Sequence, residues 1–287
     1  MAEPVADLIA LLDLEAIEVN IFRGRSPDED RQRVFGGQVM GQALVAAQRT
    51  VEEDRQAHSL HGYFLRPGDP TVPILYEVDR IRDGRSFNTR RVVAIQHGRA
   101  IFNMSVSFQV SEEGEEYHLP MPDVPTPSEL TDWAEYITTI SDDIPEDLAH
   151  WFNRPRPIET RPVKIHHPFK PVVEDPPINQ LWFRASAPVP NDQALQQVLL
   201  TYAVDMWLLD CSTYPHGYQF SDENMQMASL DHSMWFLRPF RADEWLLLDA
   251  ECIATSGSRG MNRSNIFTAD GRLIASANQE GLMRRRG

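Results

Sequence analysis

The chain has 287 residues, 42% of them hydrophobic, and a formal net charge of −15, a composition that suits a globular protein of one large or two ordinary domains. No apolar run approaches the roughly 18 residues that a bilayer span needs, and no basic stripe with interleaved aromatics offers a nucleic-acid footprint, so neither a membrane span nor a nucleic-acid partner is expected. The acidity is local: twelve Asp or Glu and no Lys or Arg lie between Ser111 and His150, leaving 30 acidic against 27 basic residues elsewhere.

Residues 3–18 read as a short helix with Leu8, Leu11, Leu12 and Leu14 on or near one face. This acidic, amphipathic start is unlike a secretory or transit signal, and Cys211 and Cys252 match no zinc or redox spacing, so a reduced, cytoplasmic compartment is expected. Residues 21–34 read as an exposed strand and loop. The stretch FGGQVMGQALVAAQRTV, 35–51, reads as a second helix that starts on Gly36 and Gly37 and is rich in small residues, which let another element approach its backbone. HSLHGYFLRPGDP, 58–70, reads as a strand ended by a turn, and residues 74–110 as two further strands with turns near Asp83-Gly84 and His97-Gly98.

From Ser111 the character changes. Fourteen of the 21 prolines fall between Pro120 and Pro190, the pattern of a connector, with short helices expected over 130–140 and 144–152. Beyond it the chain starts again. A helix over 192–210, with Asn191 or Asp192 as N-cap, answers the helix over 35–51. Phe-Leu-Arg-Pro recurs at Phe64 and Phe236, 172 residues apart; Arg85 and Asn88 recur as Arg259 and Asn262 at 174, and Gly98-Arg99 as Gly271-Arg272 at 173. Offsets this constant indicate an internal duplication of a helix-plus-antiparallel-strands unit, whose helix buries against one sheet face.

The chemistry-bearing stretch is VLLTYAVDMWLL, 198–209, in which Asp205 is the only charge. It lies at the border of the apolar stripe, mid-helix, where no free backbone N–H can satisfy it. Two readings stand, a structural Asp bonded to a core hydroxyl and a functional carboxylate. Strand alternation puts Ser229, Asp231, Ser233 and Trp235 on one face and Met234 and Phe236 on the other, and puts Ala275, Ala277 and Gln279 on a common face of the last strand. A helix laid across that sheet would bring Asp205 to a strand hydroxyl such as Ser229 and an amide such as Gln279, a set suited to polarising a water against an activated acyl carbon. Asp231-His232-Ser233 is no triad, because His232 cannot face both neighbours. Nucleophile-elbow, phosphate-loop, zincin and dinucleotide motifs are all absent from the sequence.

In FGGQVMGQAL, HSLHGYFLRPGDP, RDGRSFNTRRV, MASLDHSMWFLRP, TSGSRG and NQEGLMR the chain resembles the type II acyl-CoA thioesterases, the TesB family, over most of its length. The resemblance implies an α+β double hotdog: an N-terminal hotdog unit over 1–115, an acidic, Pro-rich connector over 116–160, and a C-terminal unit over 161–287 carrying the catalytic residues. It implies hydrolysis of acyl-CoA to free acid and CoA without a metal or redox cofactor. The family's catalytic Asp falls on Asp205, its Thr on Ser229 and its Gln on Gln279. Ser for Thr keeps the hydroxyl and loses the methyl that fixes the rotamer. Gly36 and Gly37, at a helix start, are candidates for meeting the thioester carbonyl, with close packing as the alternative role. Arg85, Arg259 and Arg263 are candidates for the CoA phosphates, with ordinary solvated charge as the alternative. The first helix carries Gly and Gln where the second carries Asp205, so one of two pseudo-equivalent sites is expected to be active. Assembly as a homodimer or homotetramer is expected. The rival reading is a non-catalytic acyl-CoA or fatty-acid binding hotdog protein, which would have no need of the polar trio.

Overall fold

The computed structural model describes residues 3–27, 32–218 and 224–286. Helix α1, Pro4–Leu12, buries Val5, Leu8 and Leu12 and starts on a proline, whose missing N–H costs nothing there. It is shorter than expected: Asp13 turns extended, and β1, Glu15–Glu18, pairs with β2, Ile21–Gly24, instead of prolonging the helix. The reversal passes through Asn20 at φ 62°, a conformation Asn tolerates. Residues 28–31 of the expected loop lie outside the described residues.

Helix α2, Gly36–Gln48, is followed by β3, Arg55–Phe64, and then by three strands instead of two: β4, Ile74–Asp83, β5, Phe87–Gln96, and β6, Arg99–Val110. Each expected turn reverses the chain, so two turns delimit three strands; His97 and Gly98 both have positive φ, as a tight two-residue hairpin requires. The connector holds α3, Trp133–Thr139, and α4, Glu146–Asn153. Strand β7, Ile158–Pro162, opens inside the stretch read as connector, and β8, Ile178–Ala185, follows. Helix α5, Gln193–Val204, precedes β9, Met225–Ser229, β10, Asp231–Phe236, β11, Leu246–Ser256, β12, Arg259–Thr268, and β13, Leu273–Arg285.

All thirteen strands form one antiparallel sheet in the order β1-β2-β4-β5-β6-β3-β10-β13-β12-β11-β8-β7, with β9 beside β13. Read from the centre, each half repeats the other, and they join where β3 pairs with β10. His61 there pairs with Ser233, its own counterpart at the 172-residue offset, which locates a pseudo-two-fold axis. The same axis passes between α2 and α5, which run antiparallel on one face of the sheet: a Cβ on Gly41 would meet Val198, and Gln48 Nε2 donates to Ala194 O. Met40, Leu44, Leu60, Phe102, Val204 and Met234 are among the fully buried residues between these helices and the sheet. This is the double hotdog architecture.

The connector breaks the symmetry on the opposite face. Trp182, Leu247, Phe267 and Leu273 form a second apolar cluster, covered by Met121, Val124 and Leu130, and Trp182 Nε1 donates to Pro125 O at 2.9 Å. Leu247 is 0% exposed, whereas Leu75, its counterpart in the first half, is 40% exposed.

Candidate active site

Helix α5 ends sooner than its sequence pattern suggests, at Val204, so that Asp205 is its C-cap and not a mid-helix residue. Its N-terminus is closed by Asp192, whose carboxylate accepts from Ala194 N at 3.0 Å. Asp205 has a nearly buried side chain, 3% exposed, at the end of the helix whose carbonyls disfavour an anion. Because the helices are antiparallel, the N-terminus of α2 lies beside it: a Cβ built on Gly36 would come within 2.8 Å of Asp205 Oδ2.

The sheet supplies the other two members. Gln279, fully buried on β13, donates from Nε2 to Asp205 Oδ1 at 2.7 Å and to Ser229 Oγ at 2.9 Å. Simple alternation places Ser229 on the outer face with Asp231, Ser233 and Trp235, away from this contact. The register explains the difference: Ser233 pairs with Asn278, whereas Ser229 pairs with Gly281, so one extra residue has entered the strand around Leu230. That bulge turns Ser229 inward. It is held by Leu230 N donating to Glu280 O and by Glu280 N donating to the Asp231 carboxylate, which gives Asp231 a structural role. Behind Gln279, Asn262 accepts from Ser212 Oγ at 2.7 Å, and Gly281 leaves room for Leu209 to press against the sheet.

The hydrogens can be assigned. Both Nε2 hydrogens of Gln279 are committed, one to each partner. Ser229 Oγ accepts, so its own hydrogen is available. Asp205 Oδ2 faces Gly36. At the start of α2 the N-cap is Phe35, which has no side chain able to cap, so the first-turn N–H groups of Gly36 and Gly37 lack a side-chain acceptor. A carboxylate oxygen, a hydroxyl hydrogen and a set of uncapped helix N–H groups therefore converge at the seam between the two halves.

The pseudo-equivalent position at the other end of the helix pair is closed. Gln48 occupies the place of Asp205 at the helix offset of 157 residues, and Asp192 occupies that of Phe35 and caps its own helix. Beyond the end of α2, Arg90, 1% exposed, bonds to Thr50 Oγ1 at 2.8 Å, Thr50 O at 2.9 Å and Asp83 Oδ1 at 2.5 Å. The guanidinium beside Asp83 holds that carboxyl below the usual range.

The three candidate arginines lie elsewhere. Arg259 and Arg263 alternate with the buried Asn262 along β12 and project from the outer face, where Arg259 Nε donates to Glu280 at 2.7 Å and Arg263 Nε to Glu251 at 2.5 Å. Arg85 is exposed near the C-terminal end of α2, its carbonyl bonded by Arg55. The structure brings none of them to the trio. It does bring His232, which faces inward with Met234 and Phe236, as alternation predicts, and whose Nδ1 stands 3.7 Å from Asp205 Oδ1. His232 is no member of a triad with its chain neighbours, since Asp231 and Ser233 face away; its proximity to Asp205 depends on where α5 ends, which the strand pattern does not carry.

Two family models match the chain: acyl-CoA thioesterase over residues 147–282 and acyl-CoA thioesterase N-terminal domain over residues 25–109. Among curated proteins it is 41% identical to acyl-CoA thioesterase 2 of Haemophilus influenzae, over 99% of each chain, and 39% identical to human acyl-coenzyme A thioesterase 8, over 96% of this chain and 88% of that one. Among solved structures it matches the acyl-CoA thioesterase II TesB2 of Mycobacterium marinum with a TM-score of 0.79 and 40% identity, covering 98% of this chain and 99% of that one. With likeness of this extent in sequence and in fold, the chain belongs to the acyl-CoA thioesterase family, enzymes that hydrolyse the thioester bond of acyl-CoA.

Proposed function

We propose that acyl-CoA hydrolysis occurs at the trio of Asp205, Ser229 and Gln279. The observation that carries this reading is the Gln279 amide, which bonds Asp205 Oδ1 and Ser229 Oγ together and fixes both. A water that accepts from the Ser229 hydroxyl and donates to Asp205 Oδ2 has its remaining lone pair free for the acyl carbon. Asp205 takes the proton as the C–O bond forms, and the first-turn N–H groups of Gly36 and Gly37 stabilise the developing oxyanion. Collapse breaks the C–S bond, releases the acid and transfers the proton to the CoA thiolate. The pseudo-equivalent position, with Gln48 in the place of Asp205, is inactive. Arg85, Arg259 and Arg263 are the candidates for the phosphates at the distant end of CoA; Arg259 and Arg263 must first release Glu280 and Glu251.

The division into two hotdog units, over 1–115 and 161–287, around a connector over 116–160 is supported in outline by the repeated strand order, with the second unit beginning at β7, Ile158. No helix among the described residues is long and apolar enough to cross a membrane. A cytoplasmic homodimer or homotetramer fits the family resemblance. The test is CoA release from a panel of short- to long-chain acyl-CoAs by the natural protein and by Asp205→Asn. A fall of about a hundredfold or more with the fold intact supports the reading; equal rates, or binding of acyl-CoA without release by the natural protein, would move the binding-protein alternative to first place.

A further inference from the structure

One buried side chain beside the trio plays no part in the hydrolytic steps. His232 is 0% exposed, and neither of its ring nitrogens has a hydrogen-bond partner among the described residues. If it served packing alone, a leucine or methionine would fill the space without giving up bonds to water. Among the described residues, one ionisable partner stands against it. Across the sheet lie Gly62 on β3 and the inward Ala277 and Gln279 on β13, none of them titratable, whereas from α5 Asp205 Oδ1 stands 3.7 Å from Nδ1. That separation is too long for a hydrogen bond, and a movement of about 0.8 Å closes it. Oδ1 already accepts from Gln279 at 2.7 Å and has a second acceptor site to offer.

We propose that His232 is a positioning residue for the hydrolytic carboxylate: its Nδ1–H donates to Asp205 Oδ1 when substrate fills the site. Oδ1 then carries two donors, and Oδ2 is left as the oxygen that takes the proton from water. The proposal rests on the reading of Asp205 as the base. It differs from a packing role because it needs a donor at one atom and not a ring of a given volume.

The test compares His232→Leu, which keeps volume without a donor, with His232→Asn, whose amide N–H stands about where Nδ1 does, and runs Asp205→Asn alongside. For each, kcat and KM are measured against pH on one acyl-CoA. His232→Leu is expected to lose kcat about tenfold or more with KM within about threefold. The acid limb of its kcat profile, which reports the substrate complex, should move up by about one pH unit, since a carboxylate deprived of a donor binds its proton more tightly. His232→Asn should keep kcat within about threefold and leave that limb in place. A leucine variant with natural kcat and an unmoved limb, or equal losses in both variants with the limb unmoved, overturns the proposal. Should the leucine variant not fold, the natural protein decides: with 15N-labelled histidine and a thioether analogue of acyl-CoA, a protonated, slowly exchanging Nδ1 whose signal is absent from His232→Asn supports the proposal, and an unprotonated Nδ1 overturns it. Asp205→Asn separates the two ideas. If it hydrolyses normally, the base reading itself fails; if it is inactive while His232→Leu is natural, only the role of His232 fails.

Discussion

Gly36→Ala offers a sharp check on the geometry of the proposed site, because it adds one methyl group where the first half meets the Asp205 carboxylate. The new Cβ would lie 2.8 Å from Asp205 Oδ2 and 3.0 Å from two carbons of the Phe64 ring, so helix and ring block retreat on one side and the carboxylate must give on the other. Ordinary contact needs about half an ångström more, which would stretch the 2.7 Å bond from Gln279 to the edge of hydrogen-bond range. A misplacement of about 1 Å at reacting groups costs about a hundredfold in rate, so kcat should fall by about 10- to 100-fold. Stability should fall only moderately, far short of unfolding the protein. The added helix propensity is worth up to about 1 kcal/mol, against an overpacking cost of about 1–3 kcal/mol. For a chain of this size, that net moves Tm by no more than about 5–8 °C. CoA release followed with a thiol reagent, beside a thermal melt, measures both. A variant with kcat within about twofold of natural would mean that Gly36 does not border the reacting carboxylate, and the proposed site geometry would be wrong.

Two further outcomes follow from the same geometry. Ser229→Ala should cost about 10- to 100-fold in kcat with KM little changed, whereas Ser229→Thr, which keeps the hydroxyl and stiffens its rotamer, should hold kcat within about threefold or raise it; a threonine variant as slow as alanine would refute the hydroxyl's role. Burial pushes the Asp210 carboxyl up to about 7. The unfolded group ionises near about 3.9, so between these values the folded state binds more protons and stability falls as pH rises, by up to about 1.4 kcal/mol per pH unit. Asp210→Asn removes that dependence. Its advantage in urea midpoint over the natural protein should therefore be larger at about pH 7.5 than at about pH 4.5, and an advantage equal at the two pH values would refute the assignment.

Much of the fold was legible because the duplicated pattern repeats. The offset between the Phe-Leu-Arg-Pro motifs is the same offset that pairs His61 with Ser233 at the centre of the sheet. The members of the trio were legible as residue types, since a lone carboxylate in an apolar helix demands partners. Their arrangement was harder to read. The bulge at Leu230 reverses the face of Ser229, and alternation, which is a two-residue rule, cannot register a single inserted residue. The end of α5 at Val204 was hidden because VLLTYAVDMWLL keeps its apolar period beyond the last helical residue. The helix over 3–18 was overread for the same reason: Leu14 stays buried on leaving the helix, so its hydrophobicity carried no sign of the break.

The pseudo-two-fold axis has a consequence for how this enzyme can be taken apart. On the proposed mechanism the two halves contribute different chemistry to one end of the axis: the first brings an uncapped helix start for the thioester carbonyl, the second brings the carboxylate that serves as base, and neither half holds both. On that mechanism catalysis belongs to the junction, and severing the chain in the connector would turn an intramolecular encounter into a dilution-dependent one. Placing an aspartate at Gln48 would not create a second centre, because Asp192 already caps the opposing helix terminus. The other end of the axis serves as a fastening, with Gln48 tying α2 to α5, and on the proposed mechanism the duplicated chain has a single working junction.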